Sequence, residues 1–264
     1  MLDLIVIGVI DIHSIVNTSL KQGKINEISA YTEKFSGSAL HVAVNASILE
    51  TQVGIISPVG RDAVGLINVF KRYSIDYSHI ILSSKKNPNF MEFITSTKHY
   101  QMYYPGAIED MHPEKIKQEY IQDAKAIHVC FPDEKVSDHS VKMARKEHIF
   151  TSADAAFSSP RAAVVFSEEK KGKNTIFMDF KKGIVVNGKK IPVFTGSTYN
   201  ESGVKDAFIA AFLSRYIKSE NMEYAALYGS CAAYLCSQSE KKVLTCGKEE
   251  LDTLFEEKKE SLAD

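Results

Sequence analysis

Cysteine is scarce in this chain. The four present, Cys130, Cys231, Cys236 and Cys246, include no Cys-x-x-Cys pair. That leaves no zinc-site spacing and no disulfide framework, and it points to reduced thiols in a cytoplasmic protein. No apolar run is long enough to span a bilayer. The apolar N-terminus, Met1-Leu2-Asp3-Leu4-Ile5-Val6-Ile7-Gly8, lacks a basic lead-in and reads as a buried first strand rather than a signal peptide. Neither sign of charge is in excess, with 32 Lys+Arg against 33 Asp+Glu. Nucleic acid and anionic membrane are therefore poor candidates for partners. No Gly-x-Gly-x-x-Gly follows the first strand, which counts against a dinucleotide-dependent dehydrogenase. Internal repeats and low-complexity linkers are missing as well.

What is present is ordinary globular composition, 44% hydrophobic and 25% charged over 264 residues, enough for one large α/β domain or two small ones. Leu4 to Ile7 has the continuous apolar pattern of a strand buried on both faces. Asp11 and His13 follow its C-terminal end, where open α/β sheets bind ligands; the plainer alternative is two loop residues. Residues 14–35 are polar and broken, with pieces that read as exposed strands. Ser36-Gly37-Ser38 then leads into an apolar helix carrying His41 one turn in. Val53 to Gly60 reads as a second buried strand, and Arg61 to Gly65 as the start of a helix with Asp62 as a cap. Ile75 to Leu82 reads as another strand region. Phe90–Ile94 and Tyr100–Tyr104 look like an antiparallel pair in a small sheet lying over the main one. The βα alternation then resumes: a helix over about Pro113–Gln122, a strand Ala126–Cys130, a helix Glu134–Lys146, a strand His148–Ala153 ended by Asp154. Strands are expected at 162–166, 175–178, 183–186 and 191–195, with Asn187-Gly188 as a hairpin turn. Helices are expected from Glu223 to about Ser237 and over the charged tail 249–264.

One stretch organises the rest: Glu201-Ser202-Gly203-Val204-Lys205-Asp206, followed by the unbroken apolar run Ala207–Leu213. A helix apolar all round is a buried helix, so its N-terminus lies inside the protein. Ser202 is a possible cap, and Gly203 allows a sharp turn and a close ligand. Free N–H groups and the positive dipole end make this a seat for a phosphate. Asp206, in the first turn, is placed to accept a proton from an attacking hydroxyl. The plainer alternative is that Asp206 only complements the helix dipole.

Three segments together resemble the ribokinase, or pfkB-type, carbohydrate kinase family. Ser36-Gly37-Ser38-Ala39-Leu40-His41 stands where the family has a glycine pair followed by Asn. Val59-Gly60-Arg61-Asp62-Ala63-Val64-Gly65 matches Val-Gly-x-Asp-x-x-Gly. Asn200 to Phe208 aligns with the closing Asp-Thr-x-Gly-Ala-Gly-Asp-x-Phe. Tyr104-Pro105-Gly106-Ala107 and Asp76 to Ile80 also resemble family landmarks, and the short length is similar to the fructosamine kinases of the family. The resemblance implies a three-layer α/β/α fold with a mostly parallel central sheet and a small β-sheet lid, built as a single kinase domain with the lid at about 14–35 and 88–104. It implies an ATP- and Mg²⁺-dependent transfer of the γ-phosphate to a hydroxyl of a sugar or sugar derivative. Asp206 would be the base, and Gly203, Val204 and Lys205 would hold the phosphate. Asp11, His13, Gly37 and His41 would line the acceptor site. ATP would lie near Gly183, Gly229 and Ala232, with Glu168 and Glu169 toward magnesium. Exposed edges on the lid strands leave a homodimer open, with lids from two copies pairing.

The departures are specific. The second glycine of the closing motif is Lys205, its first Asp is Asn200 and the following Thr is Glu201. The magnesium-associated Asn-x-x-Glu falls at Ser167-Glu168-Glu169-Lys170. The nucleotide-binding Thr-x-Gly falls near Met178-Asp179-Phe180, where Phe180 would crowd a triphosphate. The sugar-site Asn is His41. An active kinase of a sugar or a nucleoside therefore stands beside a member that binds ligand without transferring phosphate, and Lys205, Phe180 and Ser167 are where the two readings part.

Overall fold

The structure is a computed structural model and describes residues 1–19, 23–157, 161–169, 172, 174–194, 196 and 201–262. Its strands and helices in chain order are β1 (Leu2–Gly8), β2 (Asp11–Thr18), β3 (Ile28–Ser36), α1 (Ser38–Ile48), β4 (Val53–Ile56), β5 (Pro58–Val59), α2 (Leu66–Arg72), β6 (Ile81–Leu82), β7 (Asn89–Ile94), β8 (His99–Tyr104), α3 (Gln118–Ile121), β9 (Ala124–Cys130), α4 (Glu134–Lys146), β10 (Phe150–Asp154), β11 (Val164–Ser167), β12 (Thr175–Asp179), β13 (Gly183–Val186), β14 (Lys189–Ile191), α5 (Val204–Ser219), α6 (Met222–Ser237) and α7 (Lys248–Lys258). The main sheet has the order β14-β13-β12-β11-β10-β9-β1-β4. It is parallel from β4 to β12, and β13 and β14 add an antiparallel edge.

Alternation along the strands divides the core in two. Leu4 and Val6 of β1, with Ala126 and Cys130 of β9, join a cluster shared with α1, α5 and α6. Ile5 and Ile7, with Ile127 and Val129, face the opposite side against α4 and Tyr120 of α3. A strand apolar at every position is what two covered faces require. Three layers result, with α5 packed along α6 and α1.

A second sheet, β3-β2-β7-β8, stands at the C-terminal end of β1. The chain leaves β1 at Gly8 and enters β2 at Asp11, so the small sheet is tied to the main one by Val9 and Ile10. Its outer strands are antiparallel to their neighbours, while β2 and β7 run parallel.

Several local expectations are corrected. Pro113–Gln122 is a 3₁₀ turn (Pro113–Lys115) and a separate single turn of helix, α3. Ile116 is buried between the two, with its backbone extended. Residues 75–82 are mostly turn, contributing a bridge at Asp76 and the short β6. Helix α2 begins at Leu66, because Asp62 accepts from the Asn87 amide at 2.6 Å and caps nothing. The strand expected over 191–195 ends at Ile191, and Thr195 lies outside the described residues. The Asn187-Gly188 turn joins β13 and β14 with positive φ at both residues, 50° and 81°, which suits the strand twist.

Gly229 marks where α5 and α6 approach. A Cβ there would lie 2.8 Å from a Phe208 ring carbon and 2.9 Å from the Phe208 carbonyl oxygen. Gly229→Val should therefore destabilise the protein by about 3 kcal/mol, the upper end of overpacking costs. Denaturant unfolding of the variant checks it; an unchanged midpoint would mean the helix pair tolerates separation.

Candidate active site

Two helix N-termini converge beyond the C-terminal end of β1. α1 begins after Gly37, whose φ is +103° and whose hypothetical Cβ would lie 2.5 Å from the Val9 carbonyl oxygen. α5 begins after Gly203, at φ +87°, where a Cβ would fall 2.1 Å from the Lys242 carbonyl oxygen. Only glycine satisfies both the left-handed turn and the missing space. Gly203, not Ser202, is the N-cap residue, and no side chain caps the helix. The first-turn amides of α5 are thus not consumed by a side-chain cap.

Asp206, in that first turn, is buried with its carboxylate held from two sides. Ser38 Oγ donates to Oδ1 at 2.6 Å, and His41 Nδ1 lies 3.0 Å from Oδ2. His41 Nε2 in turn lies 3.4 Å from Ser36 Oγ. Burial alone would raise the Asp206 pKa. His41, Ser38 and the Lys205 charge outweigh it, and the carboxyl is held below its ordinary value. Asp206 is therefore ionised at neutral pH, and a carboxylate has lone pairs left for a further donor.

Lys205 turns away from the helix axis. Its Nζ pairs with Asp154, at the end of β10, at 2.8 Å and lies 4.0 Å from Glu168. The ammonium sits 5.5 Å above the Phe157 ring. Burial works against the charge, but Asp154 first, then Asp206 and Glu168, push the Lys205 pKa up. Glu168 is raised, chiefly by burial.

Two cavities meet at this helix start. One, about 570 Å³, runs along Met178, Asp179, Phe180, Phe194, Ser230, Ala233 and Tyr234 and is closed by Gly203, Val204, Lys205 and Asp206. The other, about 390 Å³, is lined by Asp11, His13, Ser36, Gly37, Ser38, His41, Phe90, Glu92 and Lys242, and ends on the same Gly203, Lys205 and Asp206. Asp11, His13, Gly37, His41, Gly203, Lys205 and Asp206 are thus brought together, with Val204 on the larger side. In the smaller cavity one Asp11 oxygen is buried without a hydrogen-bond partner. Its carboxyl is raised, because burial outweighs His41, His13 and Lys242.

The residues expected beside the nucleotide do not line the larger cavity. Gly229 and Ala232 are packed inside the α5–α6 interface, and Gly183 is packed against Lys190, so none of them lines the larger cavity. Their neighbours Ser230, Ala233 and Tyr234 do, one helical face round. Phe180 lines the cavity with its ring edge-on to Phe208 at 5.9 Å, drawn toward the core. Glu168 lines the cavity and Glu169 does not. Among the described residues no group of three or more metal-binding side chains occurs. Asn200 and Lys170, the first and last residues of two expected motifs, lie outside the described residues. Ser38, Asp154, Glu92 and Lys242 were not singled out by sequence. Ser38 had a faint signal in its small-residue turn; Lys242, in a polar loop, had none.

The family model of the pfkB carbohydrate kinases matches residues 1–159. The chain belongs to this family. No match was found among curated proteins. Among solved structures, the chain is similar to the ribokinase of Thermotoga maritima (16% identity, 97% of this chain and 100% of that one, TM-score 0.80). It is similar also to a nucleoside kinase of the ribokinase family from Methanocaldococcus jannaschii (17%, 97% and 99%, 0.78). A third similar structure is the ribokinase of Arabidopsis thaliana solved with ribose and ATP (14%, 96% and 98%, 0.81). At these identities the likeness is one of fold, and it confirms the expected ribokinase-like architecture: a mostly parallel sheet between helices, with a small second sheet.

The raised Asp11 carboxyl carries a stability cost with a definite sign. A folded pKa above the reference value of 3.8 means that folding loses stability as pH rises from that value through the folded pKa. Asp11→Asn should therefore raise the melting temperature of the ligand-free protein at pH 7 and not at pH 3, where the carboxyl is protonated in both states. Thermal unfolding at the two pH values checks it; an equal effect at both would assign the gain to packing.

Proposed function

We propose that this pfkB-family protein transfers the γ-phosphate of ATP to a hydroxyl of a sugar or sugar derivative, with Asp206 as the base. One observation carries the reading: the two cavities, one elongated and one polar, share a single boundary, and that boundary is the N-terminus of α5 with Asp206 on it. A donor nucleotide in the larger cavity and an acceptor in the smaller would meet at the only place where both reach the helix amides.

The larger cavity takes the adenine and ribose along Phe194, Ala233 and Tyr234. The terminal phosphoryl group sits at the amides following Gly203, where the helix dipole favours negative charge. Lys205, already neutralised by Asp154, stands beside this seat without filling it. The acceptor lies against Asp11 and the Gly37 turn and points one hydroxyl at Asp206. Phosphoryl transfer proceeds through a loose transition state, so the base takes the proton late and need not be strong. A carboxyl held low by His41 and Ser38 is sufficient, provided it is fixed in place. His41 and Ser38 fix it, and they act as positioning residues. Glu168, which lines the larger cavity, would hold a magnesium ion that arrives with the nucleotide, and the ion would supply charge neutralisation at the phosphates.

The small sheet, drawn from about 14–35 and 88–104, acts as the lid of this single kinase domain and excludes water from the reaction. Its outer strands β3 and β8 are exposed edges, open to pairing with a second copy. No helix among the described residues is long and apolar enough to cross a membrane. The four cysteines are free and buried, and a reducing cytoplasm is the compartment that suits them.

Purified protein should release ADP from ATP only when its acceptor is present. Asp206→Asn should lower kcat by about 10²–10⁴-fold, the range for a general base, while costing no more than about 1–2 kcal/mol of stability through the altered Ser38 and His41 hydrogen bonds. Turnover surviving in Asp206→Asn would overturn the assignment of the base.

A further inference from the structure

The acceptor cavity contains a cation that its own carboxylates do not neutralise. Lys242 Nζ reaches into the cavity and donates to His13 Nδ1 at 3.2 Å. Among the described residues no carboxylate lies within 4.0 Å of it, whereas Lys205, across the same cavity, is held by Asp154 at 2.8 Å. Two features make this a built position and not a surface lysine. The Lys242 carbonyl is packed against Gly203, and the Leu244 amide two residues on donates to the buried Asn45 Oδ1 at 2.8 Å. On the other side the hydrogen-bond acceptor is itself fixed. His13 Nε2 lies 2.6 Å from Glu92 Oε1, and His99 lies 2.6 Å from the other Glu92 oxygen. A proton on His13 Nε2 donated to Glu92 leaves Nδ1 free to accept from Lys242, so one tautomer satisfies every contact.

An ammonium whose one hydrogen-bond partner among the described residues is a neutral imidazole, half-buried in a cavity, is costly to desolvate. Burial first, and then Lys34, lower its pKa, opposed by the more distant Glu92, Asp11 and Asp206. The same cavity holds the opposite deficiency, an Asp11 oxygen buried without a donor. A neutral polyol completes Asp11 and leaves Lys242 as it is. A molecule with a hydroxyl for Asp11 and an anionic group for Lys242 completes both.

On the reading that this cavity holds the phosphate acceptor, we infer that the acceptor is an acidic sugar, carrying a carboxylate or a phosphate monoester that Lys242 binds. His13 and Glu92 position that lysine. The anion is bound by Lys242 and not by Asp206, so it selects the substrate without taking the proton in the transfer.

Binding measured by titration calorimetry on nucleotide-free protein tests this. The probes are pentose and hexose aldonates, uronates and phosphate monoesters, each beside its neutral parent sugar. At least one acid should bind about 10-fold or more tighter than its parent, and more weakly as salt rises. Lys242→Met should weaken the acid about 10–100-fold, the value of a charge-assisted hydrogen bond, and leave the parent sugar unaffected. Lys242→Arg should recover part of the loss. The carboxylate and phosphate arms report which anion is preferred. Thermal unfolding of ligand-free Lys242→Met should show a melting temperature no lower than that of the natural protein. The inference is overturned if neutral sugars bind as well as every acid, if no acid binds, or if acids bind Lys242→Met unchanged. Because ATP is absent, bound acid without subsequent ADP release would sink the kinase reading and leave this inference standing.

Discussion

At the start of α5 the chain has to turn left-handed with the Lys242 carbonyl pressed against the turning residue, and Gly203 is the residue that can do it. From that contact the helix runs through Ala207–Leu213, every one fully buried, between α1 and α6. The direction of α5 is therefore not adjustable: its apolar surface is matched on all sides, and Gly229 allows α6 to lie directly on Phe208. A rigid, buried helix presents its N-terminus to the interior, where amides and dipole act with little screening. Asp206 inherits its position from this packing, and Ser38 and His41 from α1 close around it. The placement of the carboxylate is thus a consequence of core packing more than of the loop before it.

Among the described residues, most of the charge around this point is arranged in partnered units. Lys205 is matched by Asp154 and Glu168, Asp206 accepts from Ser38 with His41 beside it, and Glu92 lies between His13 and His99. Lys205, which stands where the resemblance has a glycine, is paired internally. Its stem leaves the turn and its ammonium is drawn to β10. Asp11 and Lys242 are what remains, and both face the smaller cavity. Asn45 Nδ2, His128 Nε2 and Arg215 Nε are also buried without a hydrogen bond, but Asp11 and Lys242 share one cavity, and incomplete polar groups facing one cavity mark a place that a ligand completes.

The architecture was legible because it rests on local pattern. Leu4–Ile7 and Ala126–Cys130 read as doubly covered strands, the Asn187-Gly188 hairpin announced itself, and Ala207–Leu213 declared a buried helix. Gly203, Lys205 and Asp206 came to notice because they lie within one short stretch, and the structure sets all three where the two cavities meet. What escaped depended on distance. The pairings of Ser38 with Asp206 and of Lys242 with His13 span 168 and 229 residues, and no local pattern encodes them. Gly229 and Ala232, expected beside the nucleotide, carry a small-residue signal that the packing of α6 on α5 accounts for, and neither lines the cavity that ends on Gly203. Residues 113–122 read as one helix because their composition allows it, while the buried, extended Ile116 divides it.

The central claim, that the α5 N-terminus receives the terminal phosphoryl group beside Asp206, is tested most directly by a crystal structure with magnesium and a non-hydrolysable ATP analogue. The account predicts the γ-phosphate within hydrogen-bond distance of the amides following Gly203, with the base and ribose against Phe194, Ala233 and Tyr234 and the Asp206 carboxylate facing the phosphorus across the acceptor cavity. A nucleotide bound elsewhere, or a γ-phosphate kept from those amides by the Lys205 side chain, would contradict it.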